Sequence, residues 1–361
     1  MPSFRSGQIT EITESRDGLQ RVLVDLGAGP EPAYALTQLT GPVAVGDRVV
    51  VNVTAVELDL GTGGWHVVHW NLERADWNPP AAGSGMKLRY TSLQVEVANA
   101  EPADSADLAA MPVVVAGLHS QVAAIAAAFK HARPGGRLVY VMTDGGALPI
   151  AISDLVAKLR ERGLIDATVT CGHAFGGDHE AVSVPGALAV ARHAARADVV
   201  VVAMGPGGAG TRTRLGFSAI EVGPLLDTAN AMNAYTIGTL RISFADPRPR
   251  HRGVSHHSIT SLTVATRSRA HVAVPTVGGD EEHRIRADLA AAGIDARHDL
   301  VDVAPVGVLD LFAARDLQVE SMGRPATDDP VLFEAAAAAG ILAAQAVTQP
   351  TGPFGSAPGL G

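Results

Sequence analysis

Short, largely apolar runs alternate with segments of helical pattern over most of this chain. Four such pairs follow one another, with apolar runs at residues 112–116, 137–142, 167–171 and 199–204 and helical segments at residues 121–132, 150–162, 186–196 and 218–232. Further strands are predicted at residues 235–242, 272–274 and 299–303. Strands that are apolar on both faces and alternate with helices are typical of a parallel sheet. The sequence therefore predicts an α/β domain over residues 86–347, its mostly parallel sheet covered by helices on both faces.

The first 78 residues have a different pattern. Short runs rich in Val, Ile, Leu and Thr occupy residues 7–13, 20–26, 33–39, 47–57 and 65–72, separated by Gly, Pro and Asp turn signals. Such closely spaced strands predict a small N-terminal β-barrel over residues 1–78, of SH3-like or OB-like type. Residues 79–85, with two prolines and two glycines, are the predicted linker. Residues 348–361 are the predicted disordered tail, because they offer too little apolar surface to become ordered.

Composition excludes several classes of protein. The single cysteine, Cys171, excludes a disulfide-stapled secreted scaffold. The most apolar run, Val199–Met204, is far shorter than the roughly 20 residues of a membrane-spanning helix, and the N-terminus lacks the apolar region of a signal peptide. We therefore expect a cytoplasmic protein without a membrane partner. The net charge of −9 argues against a nucleic-acid partner, and a homo-oligomer is a reasonable expectation.

Glycines and arginines cluster just after the predicted strands, where open parallel sheets bind their ligands. The first cluster follows residues 199–204 and offers backbone amides and hydroxyls to an anion; its members are Gly205, Gly207, Gly208, Gly210, Thr211 and Thr213. The second cluster holds Arg248, Arg250 and Arg252, whose planar guanidinium groups suit phosphate or carboxylate. A structural turn and a solvated basic loop are the alternatives. The glycine-rich loop lacks the Lys-Ser/Thr ending of a Walker loop.

Four residues are candidates for catalysis: His173, Asp178, His256 and His257. Ser255 is predicted to cap a helix that begins at His256, where the helix dipole would lower histidine pKa values. Imidazole and carboxylate ligands are compatible with a divalent metal such as Zn, Mn or Fe, although the spacing matches no metal signature. Acid–base chemistry without a metal is equally compatible, so the cofactor remains unknown at this stage.

Three longer segments carry a family resemblance. Residues 172–189, 203–217 and 242–262 resemble the uncharacterised bacterial family catalogued as domain-of-unknown-function family 3866. The similarity extends from the N-terminal β region to about Pro275. The resemblance implies no chemistry, because no activity is known to us for the family.

Together these patterns predict an enzyme, a hydrolase or group transferase, that acts on a small anionic metabolite, phosphorylated or nucleotide-like. The alternative is a non-catalytic sensor or adaptor that uses the same anion-binding loops and presents the barrel to a partner. Both hypotheses require His173, Thr211 and His256 to meet at one edge of the sheet.

Overall fold

The computed structural model describes residues 1–59, 63–78, 83, 85–100 and 106–348. It divides the chain into two compact units, Met1–Ala98 and Asn99–Gly361. The division falls after the predicted linker, so residues 86–98 belong with the first unit and not with the α/β unit as predicted. Residues 79–82 and 84 of that linker, and residues 349–361 of the predicted tail, lie outside the described residues.

The first unit contains a closed five-stranded barrel. Its strands are β1 (Phe4–Arg16), β2 (Leu19–Asp25), β3 (Pro30–Ala35), β4 (Arg48–Asn52) and β5 (His66–Asn71), with short helices α1 (Thr37–Thr40) and α2 (Thr54–Glu57). The strand order is β1-β2-β3-β5-β4, closed by pairing of β4 with β1, and β3 pairs with β5 in parallel. This confirms the predicted small N-terminal β-barrel. A small hairpin follows, formed by β6 (Gly85–Lys87) and β7 (Val95–Val97).

The second unit is built around a parallel sheet. Its strands are β8 (Pro112–Val115), β9 (Leu138–Thr143), β10 (Ala167–Thr170), β11 (His179–Glu180), β12 (Val199–Met204) and β13 (Tyr235–Thr239); after the hairpin of β14 (Ile242–Ser243) and β15 (Gly253–Val254) come β16 (His271–Pro275) and β17 (Asp299–Val303). The sheet order is β11-β10-β9-β12-β8-β13-β16-β17, and every pairing is parallel. A last hairpin contains β18 (Glu320–Ser321) and β19 (Arg324–Pro325).

Helices cover both faces of this sheet, as predicted. They are α3 (Gln121–Ala132), α4 (Asp154–Glu161), α5 (Val184–His193), α6 (Val222–Ala231), α7 (His256–Thr260), α8 (Gly279–Ala291), α9 (Val308–Ala313) and α10 (Pro330–Thr348). Helices α3, α4, α9 and α10 pack on one face, and α5, α6 and α8 pack on the other. The adjacent strands β8 and β12 therefore send their following helices, α3 and α6, to opposite faces. Such a switch point opens a crevice beyond the carboxyl ends of the two strands, where α/β proteins bind ligands.

Helix α10 corrects the expectation that the chain has no segment long and apolar enough to span a membrane. Residues Pro330–Val347 pass that test by length and composition, with a mean hydropathy of 1.6 over 18 residues. However, 67% of this window is buried inside the protein. A Cβ atom on Gly340 would overlap the carbonyl oxygen of Ile125, so α10 lies directly against α3. We conclude that this helix forms part of the core.

Candidate functional site

A cavity of about 690 Å³ lies at the crevice beyond β8 and β12. Its walls come from the loops after β8, β12 and β13, from the start of α4 and from the hairpin of β18 and β19. The charged side chains of the described cavity wall are Lys158, Arg212, Arg241, Arg248 and Arg250 on the basic side and Asp154 and Glu320 on the acidic side. The cavity is therefore locally positive within a chain of net charge −9.

Most of the predicted site residues line this cavity. They are Gly205, Gly207, Gly208, Gly210, Thr213, Arg248, Arg250, His256 and His257. Four others do not line it: His173, Asp178, Thr211 and Arg252. Of the three residues that were predicted to meet in one pocket, His256 lines this cavity, whereas His173 and Thr211 do not.

Strand order separates His173 and Asp178 from the cavity. Both follow β10, and β9 lies between β10 and β12. The Asp178 carboxylate accepts hydrogen bonds from the Thr168 backbone N–H at 2.8 Å and from Arg160 Nη2 at 2.8 Å. Burial alone would raise the pKa of Asp178, but these hydrogen bonds and the charge of Arg160 lower it. Asp178 therefore stabilises the edge of the sheet.

The second half of the glycine-rich segment, residues 209–218, forms a hairpin. The Thr211 amide donates to the Gly216 carbonyl at 2.7 Å, and the Ser218 amide donates to the Ala209 carbonyl at 2.9 Å. The Thr213 hydroxyl accepts from the Gly216 amide at 3.1 Å. The polar groups of Thr211 and Thr213 therefore close the hairpin. Gly207, at φ 83°, has the left-handed backbone conformation that favours glycine.

The N-terminus of α3 faces the cavity, because residues 117–120 line it. Ser120 is the N-cap residue, and its side chain makes no capping hydrogen bond. The backbone N–H groups of His119 and Ser120 have no hydrogen-bond partner within the described part of the chain. Free amides together with the helix dipole favour an anion at such a position.

Asp246 holds two arginines at the cavity. Its fully buried carboxylate accepts from Arg248 Nε at 2.9 Å and Nη2 at 2.7 Å, and from Arg241 Nη2 at 3.2 Å. Burial alone would raise the pKa of Asp246, but the hydrogen bonds and the charges of both arginines hold it well below its usual range. Burial lowers the pKa of Arg241 to about 10, so this guanidinium remains charged at neutral pH. The arginines are therefore fixed in place before any ligand binds.

His119 is a site residue that the sequence reasoning missed. Its Nδ1 lies 3.2 Å from the Met204 carbonyl oxygen, which can only accept, so the ring proton is assigned to Nδ1. Its Nε2 then accepts from the Ser153 hydroxyl at 2.7 Å. Burial lowers the pKa of His119 to about 4, so the ring is neutral above that pH. The available signal was its position directly after β8.

Three further imidazoles, of His251, His256 and His257, lie together in the cavity wall. Ser255 caps α7 as predicted, since its side chain accepts from the His257 backbone N–H. Burial, followed by the charge of Arg241, lowers the pKa values of His251 and His257 to about 3. Burial is therefore the main cause of the lowered pKa values. Neutral imidazoles can accept a proton or ligate a metal ion.

A half-buried carboxyl group, that of Glu221, lies outside the cavity wall. Its Oε1 accepts from the Thr143 hydroxyl at 2.7 Å. Burial, together with the nearby charge of Asp144, raises the pKa of Glu221 to about 7, against the hydrogen bond from Thr143. Glu221 therefore changes its charge near neutral pH.

The comparison with protein families gives one match. A family model described as protein of unknown function (DUF3866) matches residues 32–340. The chain belongs to this family. The matched part of this DUF3866 protein contains every residue of the cavity wall. No curated protein and no solved structure matches the chain.

Proposed function

We propose that this chain is an enzyme, a hydrolase or group transferase, that acts on a small anionic metabolite, phosphorylated or nucleotide-like. The observation that carries the proposal is the convergence of the α3 N-terminus and the arginines on one cavity. Backbone amides at a helix start and guanidinium groups both favour phosphate oxygens. The volume of about 690 Å³ is in the range that holds a single metabolite.

Hydrolysis and group transfer both need a group beside the bound anion that activates water or another nucleophile. The neutral imidazoles of the cavity wall supply nitrogen atoms of that kind. Arg250 is the arginine best suited to meet the ligand, because it is exposed and makes only long hydrogen bonds, to His251 Nε2 and to the Arg212 carbonyl, both at 3.3 Å.

Two arginines of one loop provide a matched test of anion binding. Arg250→Ala removes a guanidinium from the cavity, whereas Arg252→Ala removes an exposed guanidinium from the same loop outside the cavity. We expect Arg250→Ala to weaken the affinity for sulfate by about tenfold in isothermal titration calorimetry, because it loses a charge-assisted contact. Arg252→Ala should leave the affinity within about twofold. Equal affinities in both variants would contradict an anion site at this cavity.

Turnover separates an enzyme from a sensor. Purified protein is incubated with a panel of phosphomonoesters and nucleotides, and phosphate or product release is measured. We expect release from at least one member of the panel, and we expect it to be lost in Arg250→Ala but not in Arg252→Ala. Sulfate binding without turnover of any member would instead support the sensor or adaptor.

A further inference from the structure

Three histidines of the cavity wall offer converging nitrogen ligands. His251 ends a turn of 3₁₀ helix, and His256 and His257 form the first turn of α7. One nitrogen atom of each ring lies within 4.8 Å of the other two. Within the described residues, these histidines form the one group of three or more His, Cys, Asp or Glu side chains whose ligand atoms lie this close together.

Each ring is held in a way that suits a ligand. His256 Nε2 is buried and has no hydrogen-bond partner in the described part of the molecule, an unfavourable state for a polar atom. His251 Nδ1 lies 2.7 Å from the Ser255 hydroxyl, the arrangement in which a metal-binding histidine donates its second ring N–H to a neighbour. Phe217 stacks on His257, with ring centroids 3.9 Å apart and an interplanar angle of 2°, and thereby fixes the orientation of that ring.

We propose that His251, His256 and His257 bind a divalent first-row transition metal, Zn²⁺ above the others. Imidazole nitrogen suits this class of metal, whereas Mg²⁺ and Ca²⁺ take oxygen ligands. A tetrahedral zinc ion with Zn–N distances near 2.1 Å needs nitrogen atoms about 3.4 Å apart. Nitrogens that lie up to 4.8 Å apart therefore approach one another on binding by up to about 1.4 Å, through small movements of the side chains.

Two arginines disfavour binding of a metal ion when no anion is present in the cavity. Arg250 Nε lies 3.3 Å from His251 Nε2, and Arg241 Nη1 lies 3.3 Å from His257 Nδ1. Both donors point at lone pairs that the metal needs, and both charges repel a cation. An anion in the cavity balances both charges and draws the exposed Arg250 guanidinium toward itself, whereas Arg241 stays paired with Asp246. The metal and the anion therefore increase each other's affinity by the same factor; this coupling rests on the proposed function.

A metal ion at this position, when bound, would lower the pKa of a water ligand and so supply the nucleophile for hydrolysis. The arginines and the α3 N-terminus hold the anion, and Ser255 and Phe217 hold two of the three ligand rings in place.

The test uses the full chain after treatment with EDTA. Co²⁺ is titrated with and without sulfate at constant ionic strength, and its visible absorption reports coordination by nitrogen. We expect one Co²⁺ per chain, bound at least tenfold more tightly with sulfate. His256→Gln and, separately, His251→Gln should abolish the absorption while the far-ultraviolet circular dichroism is unchanged. His283→Ala, which removes an exposed histidine of α8, should bind Co²⁺ like the parent chain.

Sulfate titration of the metal-free chain distinguishes the two proposals. Sulfate binding without a Co²⁺ signal, or a Co²⁺ signal that persists in both glutamine variants, overturns the metal site and leaves the proposed function standing. Co²⁺ binding that depends on both histidines, but with no sulfate binding in either metal state, supports the three-histidine site and overturns both the coupling and the proposed function.

Discussion

The Ser153 hydroxyl donates to Nε2 of His119 at 2.7 Å, and its oxygen accepts from the Val156 backbone N–H at 3.0 Å. One serine therefore caps α4 and supplies the hydrogen bond to a histidine at the start of α3. The two residues are 34 positions apart in the sequence, and their hydrogen bond fixes the His119 ring between the starts of the two helices.

Ser153→Ala should lower the free energy of unfolding by about 2 kcal/mol, because it removes a helix cap and leaves the His119 nitrogen without a donor. The measurement is urea denaturation at pH 7. Ser183→Ala is the matched control, since Ser183 caps α5 through the Gly186 amide. We expect about 1 kcal/mol there. Equal losses in the two variants would show that the bond to His119 contributes nothing.

Asp246→Asn should destabilise the fold by about 3 kcal/mol, because it leaves Arg241 and Arg248 without their buried counter-charge. Sulfate should raise the melting temperature of this variant more than that of the parent chain, since the ion supplies negative charge beside the same guanidinium groups.

The control for that comparison is Asp316→Asn, whose carboxylate pairs with Arg162 and is 87% exposed. It should change stability by less than about 0.5 kcal/mol and show the sulfate response of the parent chain. An identical sulfate response in all three proteins would place the bound anion away from Asp246.

Glu221 should make stability fall as the pH rises toward 7. Its pKa in the folded chain is raised from 4.5 to about 7, so its contribution to stability is fully present below pH 4.5 and is lost as the pH rises through about 7. Relative to the parent chain, Glu221→Gln should therefore gain about 2 kcal/mol of unfolding free energy between pH 5 and pH 7.5.

Urea denaturation at the two pH values measures this difference. Glu161→Gln, which changes a carboxyl group that is 67% exposed, should show no comparable gain. A constant stability difference between Glu221→Gln and the parent chain across this range would rule out a raised pKa at Glu221.

Local patterns predict the elements of the α/β unit well. Helix α3 and strands β12 and β17 have the predicted bounds, because continuous apolar runs and clear turn signals delimit them. The order of the strands depends on pairing between segments that are far apart in the sequence, and no local pattern predicts it. His173 follows β10 at the carboxyl edge of the parallel sheet, as predicted, but β9 lies between β10 and β12, so His173 does not line the cavity with His256.

The sequence predicts which types of residue form the site better than it predicts the role of each residue. The basic loop after β13 drew attention through its charge, and Arg248, Arg250, His256 and His257 do line the cavity. The sequence pattern does not show the role of Asp246, whose buried carboxylate orients two arginines. A single histidine such as His119 gives no pattern, so its partners become visible only in three dimensions.

The position of α10 has a consequence for synthesis of the chain. This helix packs against α3 and helps to cover one face of the parallel sheet, yet it occupies residues Pro330–Thr348. Until α10 has been added, the nascent α/β unit leaves the part of that face that α10 covers open to water and to other chains. The barrel precedes this unit in the chain, has its own core and can fold early. We therefore expect chaperones to act on the chain while the second unit is being synthesised.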